Sequence, residues 1–543
     1  MKNILIFIII GLSVLSCSED MLNRYPTTSL VIENFYKTPA DAGQALVAVY
    51  NMNLSEDFWC SMLMSEAASD NCTGGAGAGD KGEYQRWDRG LEFPDSDANG
   101  YPWKTFYGAI FRANVYLENE GLIDWTGNEG LQKQYQAEAR FLRAYYHFYL
   151  ARLFGEIPAL NRTLEPDEAP GRTPAEELYS FMIDDLKFAA ENALASRYGS
   201  MIPDNWGRVT KWAAEAMIAR VYLFYSGYYN DPTLGDFTAE DARGYIDDVI
   251  NNSGHDLVSE FAGLWLVPTI SELGGDTSNA RYAGEVNPEV VWSIRYERSG
   301  NPYGNNWHRM IGPRYTVCID PYGLGWGAIP VLPALWNAYD NSDKRKTATI
   351  LSWDDEGLVY DYAAVNQAQY TGFNTKKYDL ISVGGEVDLT DFQRDGYEDY
   401  IVIRYADVLL MGAELHLITG DNSGQALGWL NKVRERAFGD ATHNYSSLTL
   451  DNIMLERRLE LACEGLRYFD ILRSCNGDFS KLVPVLTYID NNDGGGDYSQ
   501  TLDYYSLDVD GNNFVATKGL FQIPRNEIDL MQGAIKQNPG YGN

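Results

Sequence analysis

Two segments of this 543-residue chain interleave aromatic side chains with glycines. They span residues 301–308 and 321–327, and their rings belong to Tyr303, Trp307, Tyr322 and Trp326. Glycine lets a loop turn sharply and leaves the face of a neighbouring ring uncovered. Such rings can stack on the apolar face of a sugar, while polar side chains bond its hydroxyl groups. We therefore predict that these four residues bind a sugar ligand.

Residues that could carry out catalysis show no comparable pattern. The sequence contains no HExxH, GxSxG or P-loop motif. Gly77, Gly79 and Gly82 fit GxGxxG, but a dinucleotide site needs a strand before them and a helix after them, and the flanking residues favour neither. Nothing local indicates a Ser/His/Asp triad, and paired carboxylates carry no signal among 76 acidic residues. We predict that the protein is not an enzyme.

Two acidic turns match part of a calcium-binding loop. Residues 95–100 have the spacing of the first half of an EF-hand loop. The twelfth position, which should be a bidentate glutamate, is Phe106, and Pro102 interrupts the loop. Residues 508–511 are similarly incomplete. We interpret both as solvated turns and predict no metal and no cofactor, with calcium left open as the one ion to test.

Five cysteines follow Cys17, and they are Cys60, Cys72, Cys318, Cys463 and Cys475. In an oxidising compartment this odd number leaves at least one thiol unpaired. Cys60 and Cys72 lie around a loop and make the most plausible disulfide. Cys463 lies in a helical pattern, which predicts a small buried hydrophobic residue. Because the sequence has no CxxC pair, it does not predict a cysteine-rich zinc site.

Charge and composition restrict the partners. The formal net charge of -33 argues against nucleic acid and against anionic lipid, because both would be repelled. The chain has 38 tyrosines and 13 tryptophans. This aromatic excess suits sugar recognition and equally suits a large tyrosine-rich core, so composition does not decide between them.

The aromatic segments lie between regions with a helical period. Residues 132–154 carry one continuous apolar face and are followed by Gly155, which predicts a helix end. Residues 173–176 match a capping box with proline at the first helical position. Residues 211–225 place alanines on one face, which lets a neighbouring helix approach closely. These helices are expected to pack in pairs.

The loops have a different character. Residues 60–103 and 226–400 are rich in Gly, Asn, Asp, Tyr and Trp and have no long helical period. Within them, Val290 to Tyr296 is typical of a short strand. Loops of this length inside a compact chain usually serve function, so we expect them to present the binding surface.

The C-terminal part carries the most specific pattern. Residues 401–473 predict three helices in series, and the segments RYADVLLMGAEL and ERRLELACEGLRYFDILR closely resemble the signature of the SusD/RagB family. Residues 103–225 are similar to the N-terminal half of that family. The resemblance implies a mainly α fold, in which tetratricopeptide-like helix pairs form a superhelix against an irregular, loop-rich lobe. It implies a single intertwined domain with regions 17–230, 231–400 and 401–543.

The resemblance also assigns individual residues. Asp70 and Asn71 match positions where relatives place a ligand-facing acid, and Trp87 matches a ligand-facing ring. Trp103 resembles a structural tryptophan, so we expect it in the core. The signature residues Arg404 and Arg467 are expected to brace helix packing rather than to bind ligand.

The N-terminus resembles that of an exported lipoprotein. Residues 1–16 have a charged start and a short apolar run, as in a secretory signal. Cys17 follows Val14-Leu15-Ser16, which is similar to a bacterial lipobox, and residues 18–20 are similar to an acidic surface-export tag. We predict lipidation at Cys17, surface exposure at the outer membrane, and attachment to the membrane through that anchor alone.

These patterns predict non-catalytic capture of an oligosaccharide and its delivery to a SusC-like TonB-dependent transporter, the partner that the resemblance implies. Two alternatives remain open at this point. The ligand could be a peptide or glycoprotein fragment, or the protein could be a mainly structural lid on the transporter. The sequence names neither the monomers of the glycan nor their linkage.

Overall fold

The computed structural model describes residues 32–77, 80, 82–91, 98–271, 281–297, 303–314, 318–359, 361, 365–384, 386–387, 395–420, 424–488 and 509–542. The predicted signal segment, Cys17, the first residues of both acidic turns (95–97 and 508) and the start of the first aromatic segment lie outside these ranges.

Helices account for most of the described chain. In chain order they are α1 (Ile32–Phe35), α2 (Pro39–Tyr50), α3 (Cys60–Ala67), α4 (Glu83–Trp87), α5 (Gly100–Asn119), α6 (Glu129–Phe154), α7 (Ala175–Asn192), α8 (Lys211–Tyr229), α9 (Ala239–Asn252), α10 (Leu266–Ser271), α11 (Trp307–Ile311), α12 (Pro333–Ala338), α13 (Arg345–Thr349), α14 (Tyr405–Thr419), α15 (Gln425–Phe438), α16 (Leu450–Glu460), α17 (Arg467–Ser474), α18 (Leu482–Leu486), α19 (Asn512–Thr517) and α20 (Arg525–Leu530).

Strands are short and pair in twos. They are β1 (Thr233–Leu234), β2 (Phe237–Thr238), β3 (Val290–Ile294), β4 (Ile350–Ser352), β5 (Phe373–Thr375), β6 (Ser382–Val383), β7 (Glu386–Val387) and β8 (Tyr400–Arg404). Each pair is antiparallel: β1 with β2, β3 with β8, β4 with β5, and β6 with β7. The prediction of a strand at 290–296 is confirmed, and every residue of β3 and β8 is buried.

Consecutive helices pack side by side. From α5 to α9 each helix contacts the next, α9 then contacts α14, and α14 contacts α15. The small faces predicted for α8 are observed, since all four of its alanines are buried between neighbours. The prediction of a mainly α, tetratricopeptide-like fold is confirmed. None of the described helices combines the length and apolar character needed to cross a membrane.

Helix α7 begins differently from the prediction. Its first residue is Ala175, after Pro174, and Thr173 does not cap it. The Thr173 hydroxyl instead accepts the Ala159 N–H at 2.9 Å, and the Thr173 N–H donates to the Ile157 carbonyl. The capping-box prediction is therefore wrong, because this threonine bonds to the neighbouring loop. The predicted end of α6 at Gly155 is confirmed, with φ +75° at that glycine.

The signature region is also divided differently. Instead of three helices, residues 401–473 form the end of strand β8 and helices α14 to α17. The predicted third helix breaks after Glu460, because the Arg404 guanidinium and the Lys377 ammonium bond the Glu460 carbonyl oxygen at 2.6 and 3.1 Å. Cys463 in this turn has φ +62°. It is buried, as predicted, but it does not lie in a helix.

The break is part of a buried ionic network, which here means Arg404, Arg345, Arg436, Glu289, Glu456, Glu460 and Glu464. Arg404 donates to Glu464 at 2.8 Å and to Glu289 at 3.0 Å, and it also bonds Glu460. Arg345 joins Glu456 and Glu460 from the other side. The expectation that Arg404 braces the packing is confirmed, since its side chain is 1% exposed.

Candidate ligand-binding groove

Three of the predicted sugar-binding rings lie in the interior. Trp87, Trp307 and Tyr322 are 2%, 1% and 1% exposed. The indole N–H of Trp87 donates to the Asn99 side chain at 2.8 Å, and Trp307 stacks on Trp59 with ring centroids 5.1 Å apart. The prediction that these rings face solvent is wrong. The glycines near Trp307 and Tyr322 in the sequence therefore do not indicate open ring faces. Trp307 is the first residue of helix α11.

Asp70 and Asn71 have protein partners. The two Asp70 carboxylate oxygens accept bidentate hydrogen bonds from Arg467 at 2.7 and 2.9 Å, and the Asn71 carbonyl oxygen Oδ1 accepts Arg458 at 2.8 Å. Arg467 lowers the pKa of Asp70 although burial opposes that shift. The Asp70 carboxylate is thus paired with Arg467, but Asp70 also lines a cavity, so its contact with a ligand stays a prediction. The same contact confirms that Arg467 braces the packing, and Trp103 is buried as predicted.

The remaining two rings are accessible and lie in different places. Tyr303 is 47% exposed at the rim of a surface groove. Trp326 is partly buried, and the Arg309 guanidinium covers one face of its ring at 4.0 Å from the centroid. Trp326 does not line the groove. Of the seven predicted residues, only Tyr303 therefore belongs to this groove.

The groove has a volume of about 320 Å³ and is formed by three parts of the chain. Helix α2 and the turn after it supply one wall, the loop before α8 supplies the second, and the end of β3 with Tyr303 supplies the third. The lining residues are Gly43, Leu46, Val47, Tyr50, Asn51, Asn53, Leu54, Asp204, Trp206, Gly207, Arg208, Trp292, Ser293, Ile294, Arg295 and Tyr303.

Trp206 forms a fixed platform in the second wall. Its indole N–H donates to the Tyr198 carbonyl at 3.1 Å, and its backbone N–H closes a turn on Pro203. Gly207 follows with φ +86°, a left-handed conformation that favours glycine, and a Cβ there would collide with the Arg295 side chain. This close approach brings the Trp206 turn against β3.

Polar groups surround the platform. Asn53 and Ser293 are buried, and their side-chain oxygens Oδ1 and Oγ have no hydrogen-bond partner among the residues that the structure describes. Buried polar atoms are normally bonded, so these two are acceptor positions that a ligand or water hydroxyl could satisfy. Arg295 lies over the Trp206 ring at 5.4 Å and pairs with Glu285 at 2.9 Å.

Two partly exposed side chains that share a buried carboxylate support the first wall. The Tyr50 hydroxyl donates to Glu138 at 2.7 Å, and Arg208 pairs with the same carboxylate at 2.7 Å. Burial raises the pKa of Tyr50, and the Glu138 charge raises it further, so the hydroxyl stays protonated. Because Tyr50 and Arg208 both line the groove, these contacts hold two of its lining side chains in place.

Sequence reasoning missed Trp206, although a signal was present. It lies in Asn205-Trp206-Gly207, the same aromatic–glycine pairing that singled out Trp326 and Gly327. The pairing alone could not show whether Trp206 or Trp326 has the more accessible ring, because accessibility depends on which strand or helix packs against each ring.

Comparisons with known proteins agree with the fold. Residues 288–541 match the sequence model of the SusD family, and residues 35–223 match a family described as starch-binding and associating with the outer membrane. The chain is 28% identical to SusD-like protein P2 of Formosa agariphila, covering 86% of this chain and 89% of that protein. It is 26% identical to a SusD-like protein of Bacteroides ovatus, covering 95% and 91%.

Solved structures extend the same similarity. Surface glycan-binding protein A from Bacteroides fluxus superposes with a TM-score of 0.74 at 25% identity, covering 93% of this chain and all of that one. A laminarin-binding SusD-like protein superposes with a TM-score of 0.69 at 25% identity and the same coverage.

Proposed function

Because this chain belongs to the SusD family, we propose that it binds an oligosaccharide at the outer membrane without cleaving it, and that the groove between Trp206 and Tyr303 is the binding site. The observation that carries this proposal is the combination of a fixed indole platform, a second accessible ring and unbonded buried acceptors around one opening. An oligosaccharide needs such a mixture, because each sugar has an apolar face and a rim of hydroxyls.

The volume of the groove fits a short stretch of glycan rather than a long chain. Space of about 320 Å³ lies at the lower end of the range for small-ligand sites. A polysaccharide would therefore place one or two sugars in the groove and extend over the surface on either side. The partly buried Trp326 could contact a more distant sugar in this arrangement.

The proposal also covers how the protein is attached to the membrane and which protein receives the glycan. We propose that Cys17 is lipidated, that the lipid holds the protein at the outer face of the outer membrane, and that the captured glycan passes to a SusC-like TonB-dependent transporter. Support comes from the lipobox-like sequence before Cys17 and from the description of the family matched by residues 35–223. Replacement of Cys17 by alanine is expected to abolish palmitate labelling and release the protein from the membrane.

Binding can be tested by electrophoresis through gels that contain one polysaccharide each, with laminarin and starch in the panel. Protein that begins after Cys17 should be retarded by at least one gel, and no reducing ends should appear in solution. Trp206→Ala should remove the retardation. Phe111→Ala is the matched control, because Phe111 is an exposed ring on α5 outside the groove.

Two results would contradict the proposal. Retardation of Trp206→Ala and Tyr303→Ala equal to that of the wild type would remove the groove as the site. Release of reducing ends would show a glycosidase instead of a binding protein.

A further inference from the structure

Three side chains with metal-binding atoms meet in the interior, between helix α3 and the turn after α16. Cys72 Sγ lies 4.0 Å from Cys463 Sγ and 3.9 Å from Glu66 Oε2. The ligand atoms of all three residues lie within 4.8 Å of one another, and all three residues are buried. We refer to Glu66, Cys72 and Cys463 as the thiol–carboxylate cluster. The proposed glycan groove does not use it.

We propose that the thiol–carboxylate cluster binds one zinc ion. An ion equidistant from three atoms with these separations would lie roughly 2.3–2.5 Å from each, which is close to the Zn–S bond of about 2.3 Å and somewhat longer than a Zn–O bond. Two thiolates that share a tetrahedral zinc lie roughly 3.8 Å apart by the same bond length. The observed sulfur separation of 4.0 Å is near that value.

A disulfide fits these positions less well. Its sulfurs would have to approach to about 2.05 Å. Both sides are held: Glu66 accepts the Gly465 N–H, two residues after Cys463, and the Asn71 carbonyl, one residue before Cys72, accepts the Leu332 N–H at 2.8 Å. The predicted disulfide between Cys60 and Cys72 is wrong, because the eight-residue helix α3, about 12 Å long, separates them.

The local backbone aims the ligands at one point. Cys463 adopts a left-handed conformation with φ +62°, which is uncommon outside glycine and turns its side chain toward Cys72. The Gly465 N–H occupies Glu66 Oε1 and leaves Oε2 facing the sulfur of Cys72. A conformation of this kind persists only where the surroundings fix it, and it is common at ligand-binding positions.

Metal binding at this cluster would be linked to proton release. Burial raises the pKa of Glu66 to about 7, and the hydrogen bond with Cys463 together with burial raises the pKa of Cys72. Zinc bound to two thiolates and a carboxylate would release both thiol protons and any proton on Glu66, and it would leave one net negative charge, which the buried Lys377 ammonium beside Glu464 offsets. The apparent affinity should rise with pH for this reason.

An entry path exists on one side. Cys72 lines a cavity of about 450 Å³ that also contains Asp70 and Asp88, and the exposed Ala334 and Val485 lie at its edge. A metal ion can reach the cluster through this cavity, and a water from it can supply the fourth zinc ligand. Because residues 72 and 463 are far apart in sequence, no local spacing could have indicated the site.

The first test is the zinc content of the native protein, purified without chelator and measured by inductively coupled plasma mass spectrometry. We expect about one zinc per chain. Cys72→Ser and Cys463→Ser should each reduce the content to background, whereas Cys475→Ser should retain it. Cys475 is the matched control, since it is equally buried but its sulfur bonds the Ile471 carbonyl away from the cluster.

A second measurement covers the case in which the cysteine variants do not fold. Glu66→Gln keeps the shape of the side chain and an acceptor for the Gly465 N–H, so it should fold and bind zinc at least tenfold more weakly. Protein reconstituted with cobalt should show a thiolate-to-cobalt charge-transfer band that Glu66→Gln shifts. Chelator should lower the Tm of the wild type.

Three results would overturn the proposal. The first is less than one tenth of a zinc per chain after purification in buffer supplemented with zinc. The second is an intact mass about 2 Da below the mass of the fully reduced chain, with the full mass restored by a reducing agent. This result would show a disulfide. The third is zinc content that Cys475→Ser removes and Cys72→Ser does not.

Discussion

The buried ionic network around Arg404 and the groove beside Trp206 both contain buried polar side chains, and they differ in how the polar atoms are satisfied. In the network, Arg404 bonds three carboxylates, and Glu460 accepts from Arg345, Arg404 and Arg436. In the groove, Asn53 and Ser293 keep unbonded side-chain oxygens within the part of the chain that the structure describes. The first arrangement fixes the fold, and the second leaves capacity for a ligand.

The difference has an energetic meaning. Removing one partner from a buried charged network leaves an uncompensated charge, which costs far more than the loss of a surface ion pair. A neutral acceptor without a partner costs less than a buried charge without one, and a hydrogen bond from a ligand hydroxyl would recover part of that cost. Substitutions in the network should therefore change stability, and substitutions in the groove should change affinity.

The largest effect is expected for Arg404→Ala. It leaves Glu289, Glu460 and Glu464 without their shared partner in the interior, and the free energy of unfolding should fall by about 3–5 kcal/mol in urea titration. Arg162→Ala, which breaks an exposed pair with Glu168, is the control and should not shift the midpoint measurably. An equal shift of the urea midpoint in both variants would show that the network stabilises the fold no more than an exposed ion pair does.

Two tryptophans separate stability from binding. Trp307→Ala should lower the free energy of unfolding by about 3 kcal/mol or more, because it empties a site stacked on Trp59, and it should leave glycan affinity unchanged. Trp206→Ala should reduce affinity roughly thirtyfold, about 2 kcal/mol, with an unchanged Tm. Calorimetric titration and thermal unfolding of both variants measure the two quantities. If Trp307→Ala lost glycan affinity but kept the wild-type free energy of unfolding, the assignment of Trp307 to stability and Trp206 to binding would be contradicted.

Two buried carboxyl groups should respond to pH in opposite directions. Burial, together with the nearby charges of Glu285 and Asp399, raises the pKa of Glu398 to about 8. Between its ordinary value of 4.5 and about 8 the folded state holds a proton that the unfolded state has released, so stability falls as pH rises, by up to about 1.4 kcal/mol per pH unit. Glu398→Gln should remove that part of the decline.

Glu460 provides the matched comparison. Arg436, Arg404 and Arg345 lower its pKa against the effect of burial, so its contribution to stability is present above its ordinary value of 4.5 and is lost as pH falls below it. Glu460→Gln should therefore destabilise the protein at pH 7, where Glu398→Gln is neutral or stabilising. Unfolding in urea between about pH 3 and pH 8 measures both effects, and parallel curves for the two variants would contradict the assignment.

The smallest effect is expected for Trp326→Ala. This ring lies outside the groove and carries the Arg309 guanidinium, so its loss should cost about 0.5–1 kcal/mol of stability and less than a threefold change in glycan affinity. A loss of affinity larger than that of Trp206→Ala would move the binding site to the surface around Trp326.

The sequence predicted the helical framework because that framework is built from local periodicity. The apolar face at 132–154, the glycine after it and the alanine face at 211–225 each follow from spacing within one helix. The break after Glu460 could not be predicted in this way, because the groups that bond its carbonyl, Lys377 and Arg404, come from distant parts of the chain.

The site was harder to predict for the same reason. Aromatic–glycine pairing identified Tyr303 and Trp326 correctly as accessible rings, but it also selected Trp307 and Tyr322, which later strands and helices cover. Asp70 has a suitable side chain for contacting a ligand, but its carboxylate accepts a hydrogen bond from Arg467, and only the folded structure shows this contact. Whether a polar or aromatic residue is free to bind depends on long-range contacts that spacing does not contain.

The most direct measurement is a crystal structure of the protein with an oligosaccharide of about six sugars prepared from the polysaccharide that retards it most strongly. The account predicts a sugar ring in van der Waals contact, within about 4 Å, with Trp206 or Tyr303, and a hydroxyl bonded to Asn53 or Ser293. An ordered oligosaccharide elsewhere on the surface, with the groove filled only by water, would contradict it.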